Sequence, residues 1–111
     1  MTKEELDSAH VDTTITTGTN ETLEVKTSRG SDVLVLIDDG TQDGAPAEYT
    51  MTQRIYTSEV DDYQFYDQVT GQTARSWLDS AWGEKMQFEF ENTSGADATY
   101  RIAITSYREM S

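Results

Sequence analysis

Apolar and polar residues alternate with a period of two along most of the chain, the pattern of half-buried strands. "KMQFEFEN" (85–92) is the cleanest case: Met86, Phe88 and Phe90 fall on one face, Gln87, Glu89 and Glu91 on the other. "TYRIAITSY" (99–107) places Tyr100, Ile102 and Ile104 together, and "VDTTITT" (11–17) does the same for Val11, Thr13, Ile15 and Thr17. Leu23 and Val25 alternate with Glu24 and Lys26 in "ETLEVKTS", and "EYTMTQRIYT" (48–57) is β-branched and aromatic throughout. "DYQFYDQV" (62–69) sets Tyr63 and Phe65 on one face and Tyr66 on the other. "DVLVLI" (32–37) is apolar on both faces and reads as a central strand. "ARSWLDSAW" (74–82) fits a strand or a short helix equally well.

Turn residues separate these runs: "GTN" (18–20), "RG" (29–30), "TGQT" (70–73) and "NTSGAD" (92–97). The only proline, Pro46, lies between runs, where it removes no ladder bond. Seven or eight short strands at this spacing predict an all-β chain, a single antiparallel β-sandwich or jelly-roll-like domain over residues 11–108. Residues 1–10, "MTKEELDSAH", fall outside the alternation and are expected to form a short N-terminal arm.

The 111 residues suffice for one domain with one modest core. The chain lacks cysteine, which excludes disulfides and thiolate metal sites. No apolar run is long enough to span a membrane, and the first ten residues lack the apolar region of a signal peptide. The formal net charge is -13, from 21 acidic and 8 basic residues. That balance opposes nucleic acid, whose binding needs a cationic footprint, and opposes anionic membrane surfaces. Aromatics make up 10% of the chain, which favours a folded acidic domain over a disordered one. Threonine is the commonest residue, and three lysines stand against five arginines. Such a composition suits life in high salt, where ions screen the self-repulsion of an acidic fold.

Chemical sites are few. "VLVLIDDGTQDGAPAEYT" (33–50) ends an apolar run in three aspartates. An EF-hand loop needs oxygens at positions 1, 3 and 5, glycine at 6 and a bidentate glutamate at 12. Counted from Asp39, the chain supplies Asp39, Thr41, Asp43 and Gly44, but Thr50 stands at the last position and cannot close the shell. Asp38, Asp39 and Asp43 remain as candidates for a calcium site of another kind, against a solvated acidic turn. A second acidic cluster, Glu59, Asp61 and Asp62, lies between two strands and reads as a turn. The single histidine, His10, lies in the expected arm, so no nucleophile–base pair is built into the fold. No enzyme activity and no cofactor are expected. Asn20 and Asn92 match the glycosylation sequon in predicted turns and read as chance matches.

Aromatic and apolar residues offer contact surfaces instead. Val33, Val35 and Ile37 alternate with Leu34 and Leu36, so one set must be covered by something other than the first core face. We take Val33, Val35, Ile37, Tyr66, Trp77, Trp82 and Tyr107 as interface candidates, with homo-oligomerisation as the expectation. Trp77, Trp82, Tyr66 and Tyr107 also make a candidate stacking platform for sugars, the mark of a carbohydrate- or cell-surface-binding module.

The stretch "YTMTQRIYTSEVDDYQFYDQVTGQTARSWLDSAW", with "MQFEFENTSGADATYRIAITSYRE" after it, resembles small β-sandwich virion proteins of tailed viruses of halophilic archaea. The likeness rests on acidic composition, size, strand–turn rhythm and the "NTSGADATYRI" hairpin, and carries over no functional residue. It implies a non-enzymatic structural protein of a virion, made in the host cytoplasm. Its place would be capsid decoration protein, turret, neck or tail subunit, with other virion proteins as partners.

Overall fold

The computed structural model describes residues 2–110. The described residues form eight strands: β1 (Thr2–Ile15), β2 (Asn20–Lys26), β3 (Asp32–Asp38), β4 (Tyr49–Thr57), β5 (Asp62–Gln72), β6 (Ser76–Ser80), β7 (Lys85–Asn92) and β8 (Ala98–Met110). They form two four-stranded antiparallel sheets, ordered β1-β8-β3-β6 (sheet A) and β2-β7-β4-β5 (sheet B). β1 pairs with β8, β2 with β7, β3 with β6 and β4 with β5. The chain is thus one long hairpin, folded at β4–β5 and rolled into a sandwich, which is the jelly-roll topology. Among the described residues no helix is long and apolar enough to cross a membrane.

The alternation in sequence becomes the core. Val25, Met86, Phe88, Phe90, Tyr100, Ile102 and Ile104 are all fully buried between the sheets. Each such side chain contributes roughly 1.5–3 kcal/mol by leaving water. Tyr49 joins the two layers: its ring meets Tyr100 of the opposite sheet edge-on at 6.5 Å and lies 6.1 Å from Phe90.

Three expectations change. Thr2–His10, expected as an arm, is the first part of β1 and pairs with β8 from Thr2↔Met110 onward; Met1 lies outside the described residues. Backbone pairing held this segment although its side chains show little apolar alternation. Edge strands need only one apolar face, and here Ala9 and Val11 provide it. "TGQT" is not a turn, since β5 continues to Gln72, and residues 73–75 make the connection. The ambiguous segment 74–82 contains the strand β6.

Asn92 is a further correction. It is fully buried, not accessible in a turn. Its amide nitrogen donates to the carbonyls of Ile15 (2.7 Å) and Ala96 (2.8 Å), and its oxygen accepts from the backbone and hydroxyl of Ser94. These bonds tie the β7–β8 hairpin to the end of β1. Asn20 is exposed and donates to Glu89.

The two long sides of the sandwich differ. Along β1 and β2 it is closed: the Asp7 carboxylate accepts from the Lys26 backbone (2.8 Å), and buried Ser106 donates to the Lys26 carbonyl (2.6 Å). Along β6 and β5 the links are side-chain bonds, Gln53 of β4 donating to Asp79 of β6 at 3.1 Å and Trp77 of β6 donating to Tyr49 of β4 at 2.7 Å. β6 has only five residues, so sheet A ends early on that side.

Candidate functional site

The open side holds a groove. Its volume is about 560 Å³, with Ile55 of β4 in its wall. Phe65 and Tyr66 of β5 and Trp82 of the β6–β7 loop line it and are 65%, 46% and 50% exposed. The local chain explains the exposure. β5 has one neighbour, and its register slips opposite Gln53/Arg54, where Asp67 and Phe65 pair and Tyr66 is left as a bulge. A bulge re-aims its side chain and twists the edge.

Trp82 is set by its own loop. Gly83 has φ +97°, and a Cβ there would come within 2.7 Å of Ile55 Cγ2 and 2.8 Å of the Tyr56 carbonyl oxygen. Only glycine lets the loop pass so close to β4. The β2–β3 turn grips the loop along its other flank. Thr27 donates its backbone N–H to Glu84 (2.8 Å) and its hydroxyl to Gly83 (3.0 Å), and Ala81 donates to Ser31 (2.7 Å). Trp82 is therefore presented on a braced loop.

The rim is polar and mixed in sign. Arg29 stands on the side of the β2–β3 turn, with Glu59 and Glu84 also lining the groove. Tyr56 donates to Asp61, and this bond, with burial and nearby acids adding to it, raises its phenol pKa. Asp61 adopts φ 56°, a left-handed turn conformation that aspartate tolerates. Glu59 and Asp61 thus lie in the β4–β5 turn, as the sequence reading has it, and Asp62 opens β5. Behind the rim, Lys85 lies 4.5 Å from the Tyr56 ring centre and 3.7 Å from Glu24. Burial, with the Glu24 carboxylate close by, pushes the Tyr63 phenol well above its ordinary value.

The expected site residues separate. Tyr66 and Trp82 meet in the groove. Trp77 does not: its indole donates to the Tyr49 hydroxyl (2.7 Å), which in turn donates to the Ala74 carbonyl (2.7 Å), so it braces sheet A against the core. Tyr107 lies on the outer face of sheet A, opposite Asp32 in register, and is half-buried. The four-membered aromatic platform is thus reduced to two of its members, with Phe65 added from outside it. Phe65 was assigned to the same face as Tyr63, correctly, but that face is solvent.

Val33, Val35 and Ile37 are corrected outright as interface candidates: all three are core residues. The outward set is Leu34 and Leu36. Leu34 pairs with exposed Leu78 of β6, and Leu36 with Ala103 of β8, so an apolar stripe crosses the outer face of sheet A. Periodicity revealed two apolar sets but not which pointed inward, because either face of a central strand can meet the core.

The acidic loop after β3 is internally satisfied. Asp38 forms an ion pair with Arg101 at 2.7 Å and accepts from the Gly40 backbone. The Arg101 guanidinium is the main reason its carboxyl lies below the usual range. Asp39 accepts from the backbone and hydroxyl of Thr41, which lower its pKa. Its carboxylate also packs over Gly44, where a Cβ would fall 2.1 Å from Oδ1. Asp43 is exposed. Among the described residues, no group of three histidine, aspartate or glutamate side chains is placed to hold a metal ion.

No protein-family model and no curated protein matches the sequence. Solved structures do. The chain is similar to the Yersinia pseudotuberculosis-derived mitogen, with a TM-score of 0.63 and 11% identity over 94% of this chain and 89% of that one. It is similar also to Aeromonas hydrophila PliG, a periplasmic lysozyme inhibitor of g-type lysozyme. There the TM-score is 0.60 and the identity 11%, over 91% of this chain and 87% of that one. At this identity the likeness is one of fold.

Proposed function

We propose that the chain is a non-enzymatic structural subunit that assembles through the outer face of sheet A, with a second copy of itself as the first partner. The stripe of Leu34, Leu36 and Leu78 carries this reading. Exposed apolar surface of this kind marks contact sites. The overall charge of -13 opposes a like partner, and the register places exposed Glu5, Asp12 and Glu109 on this same face, so close approach of two copies needs salt to screen them. Asp32 and Asp38 on this face are neutralised by Lys3 and Arg101. Two copies related by a two-fold axis would bring leucine to leucine, with the remaining repulsion screened in molar salt. The composition and the strand–turn rhythm support a place in a virion of a halophilic virus, as a capsid decoration or turret subunit. Residues 2–10 contribute as an edge of sheet A, not as a free arm.

The test is the solution mass by size-exclusion chromatography with light scattering, in molar potassium chloride and in dilute buffer. A discrete oligomer in high salt is expected, and the double variant Leu36→Glu/Leu78→Glu should be monomeric with an unchanged circular dichroism spectrum. A wild-type monomer under both conditions would sink the self-assembly reading. Mass spectrometry of purified particles then tests the virion placement.

A further inference from the structure

The aromatic groove lies away from the leucine stripe and calls for a ligand of its own. We propose that it binds a neutral oligosaccharide of hexopyranose units with equatorial hydroxyls.

Three properties of the groove lead to this chemistry. The first is the apolar surface. Trp82 and Tyr66 are half-exposed aromatic residues lining one groove, and Phe65, on the outward face of β5, adds an exposed ring at its edge, in a chain that otherwise buries its phenylalanines. A pyranose with equatorial hydroxyls presents a face of C–H groups, which packs on such rings while its hydroxyls reach sideways.

The second is the sign of the rim. Arg29 offers only donors, and Glu59 and Glu84 offer only acceptors. Arg29 makes no ion pair among the described residues, although acids outnumber bases in the chain. Two glutamates against one arginine leave the rim net negative, which opposes an anionic ligand, while a cationic one would meet acceptors at Glu59 and Glu84 and leave the donors of Arg29 unused. A neutral polyol suits both, because each hydroxyl donates and accepts.

The third is rigidity. The loop bearing Trp82 is locked by Gly83 against β4 and by Thr27 and Ser31 against the β2–β3 turn that carries Arg29. The backbone segments that carry the stacking ring and the guanidinium are tied to each other by these bonds. Little ordering is then required when a ligand enters.

The experiment is a ¹⁵N–¹H NMR titration of the full chain with cellohexaose and chitohexaose. The cationic chitosan hexamer and an anionic mannuronate hexamer serve as charged counterparts. The expected result is saturable shifts at the Trp82 indole and the Phe65 and Tyr66 amides with a neutral hexasaccharide. Trp82→Ala and Tyr66→Ala should each weaken binding at least about tenfold. The hydrogen-bonded Trp77 indole reports that each variant remains folded. Leu36→Glu/Leu78→Glu should bind as the wild type does, which separates this site from the assembly face. The proposal is overturned if neither neutral sugar shifts the groove at about 10 mM, a concentration that reveals even weak sites. Tighter binding of a charged hexamer, or affinity unchanged by Trp82→Ala, would overturn it equally.

Discussion

β7 and β5 are the two neighbours of β4, similar in aromatic content and opposite in fate. β7 alternates without a break: Met86, Phe88 and Phe90 are fully buried and Gln87, Glu89 and Glu91 face outward. β5 has the longer run and buries almost nothing, leaving Phe65 and Tyr66 in solvent. The cause is position. β7 has a strand on each side, whereas β5 has one neighbour and faces the side where sheet A stops at the five-residue β6. Whether an aromatic residue becomes core or contact surface is therefore decided by its place in the sheet. The groove is the consequence: it forms where the second layer fails to cover the first.

The contrast predicts unequal costs for the same chemical change. Phe88→Ala should destabilise the fold by about 3–5 kcal/mol, as large-to-small changes in a packed core do. Phe65→Ala should stay within about 0.5 kcal/mol. Urea midpoints at an unchanged m-value measure both. Similar losses at the two positions would mean that β5 is covered in solution, and the edge argument would fall.

A middle-sized effect is expected at the end of β7. Asn92→Ala removes the side-chain partner of the Ile15 carbonyl in a buried site and that of the Ser94 amide, while the Ala96 carbonyl keeps the Ser94 hydroxyl. The cost should be about 1–3 kcal/mol in the same urea assay. β5 has no comparable buried polar anchor at its end, and its Gln72 donates only to the nearby Thr70 carbonyl.

A small effect should come from Asp38→Asn on sheet A, since both partners of its ion pair are partly exposed. Its pH dependence is specific. Arg101 holds the folded-state pKa of Asp38 below the ordinary value of about 3.9. The ion pair therefore contributes above that value and is lost as pH falls through the lower, folded-state pKa. The stability gap between wild type and variant should be constant at neutral and mildly acidic pH and close only under strong acid. A gap that closes near neutrality would assign the stabilisation to another group.

Much of this molecule was legible in its residues. The period-two alternation yielded the strands, and in β7 and β8 it also yielded the inward set, because those strands are apolar on one face only. It failed at β3, where Val33, Val35 and Ile37 and the leucines between them are equally apolar. It failed again at residues 2–10, which carry little pattern but find a partner in β8. The sequence on its own determined the acidity, the β class and the turns at 18–20, 29–30 and 92–97, since each depends on neighbours along the chain. Only the tertiary structure decided which apolar face is buried, that Asn92 is an internal tie, and that Phe65, Tyr66 and Trp82 share a groove. Those outcomes depend on which strand ends a sheet and what lies across from it, and such contacts join residues far apart in sequence.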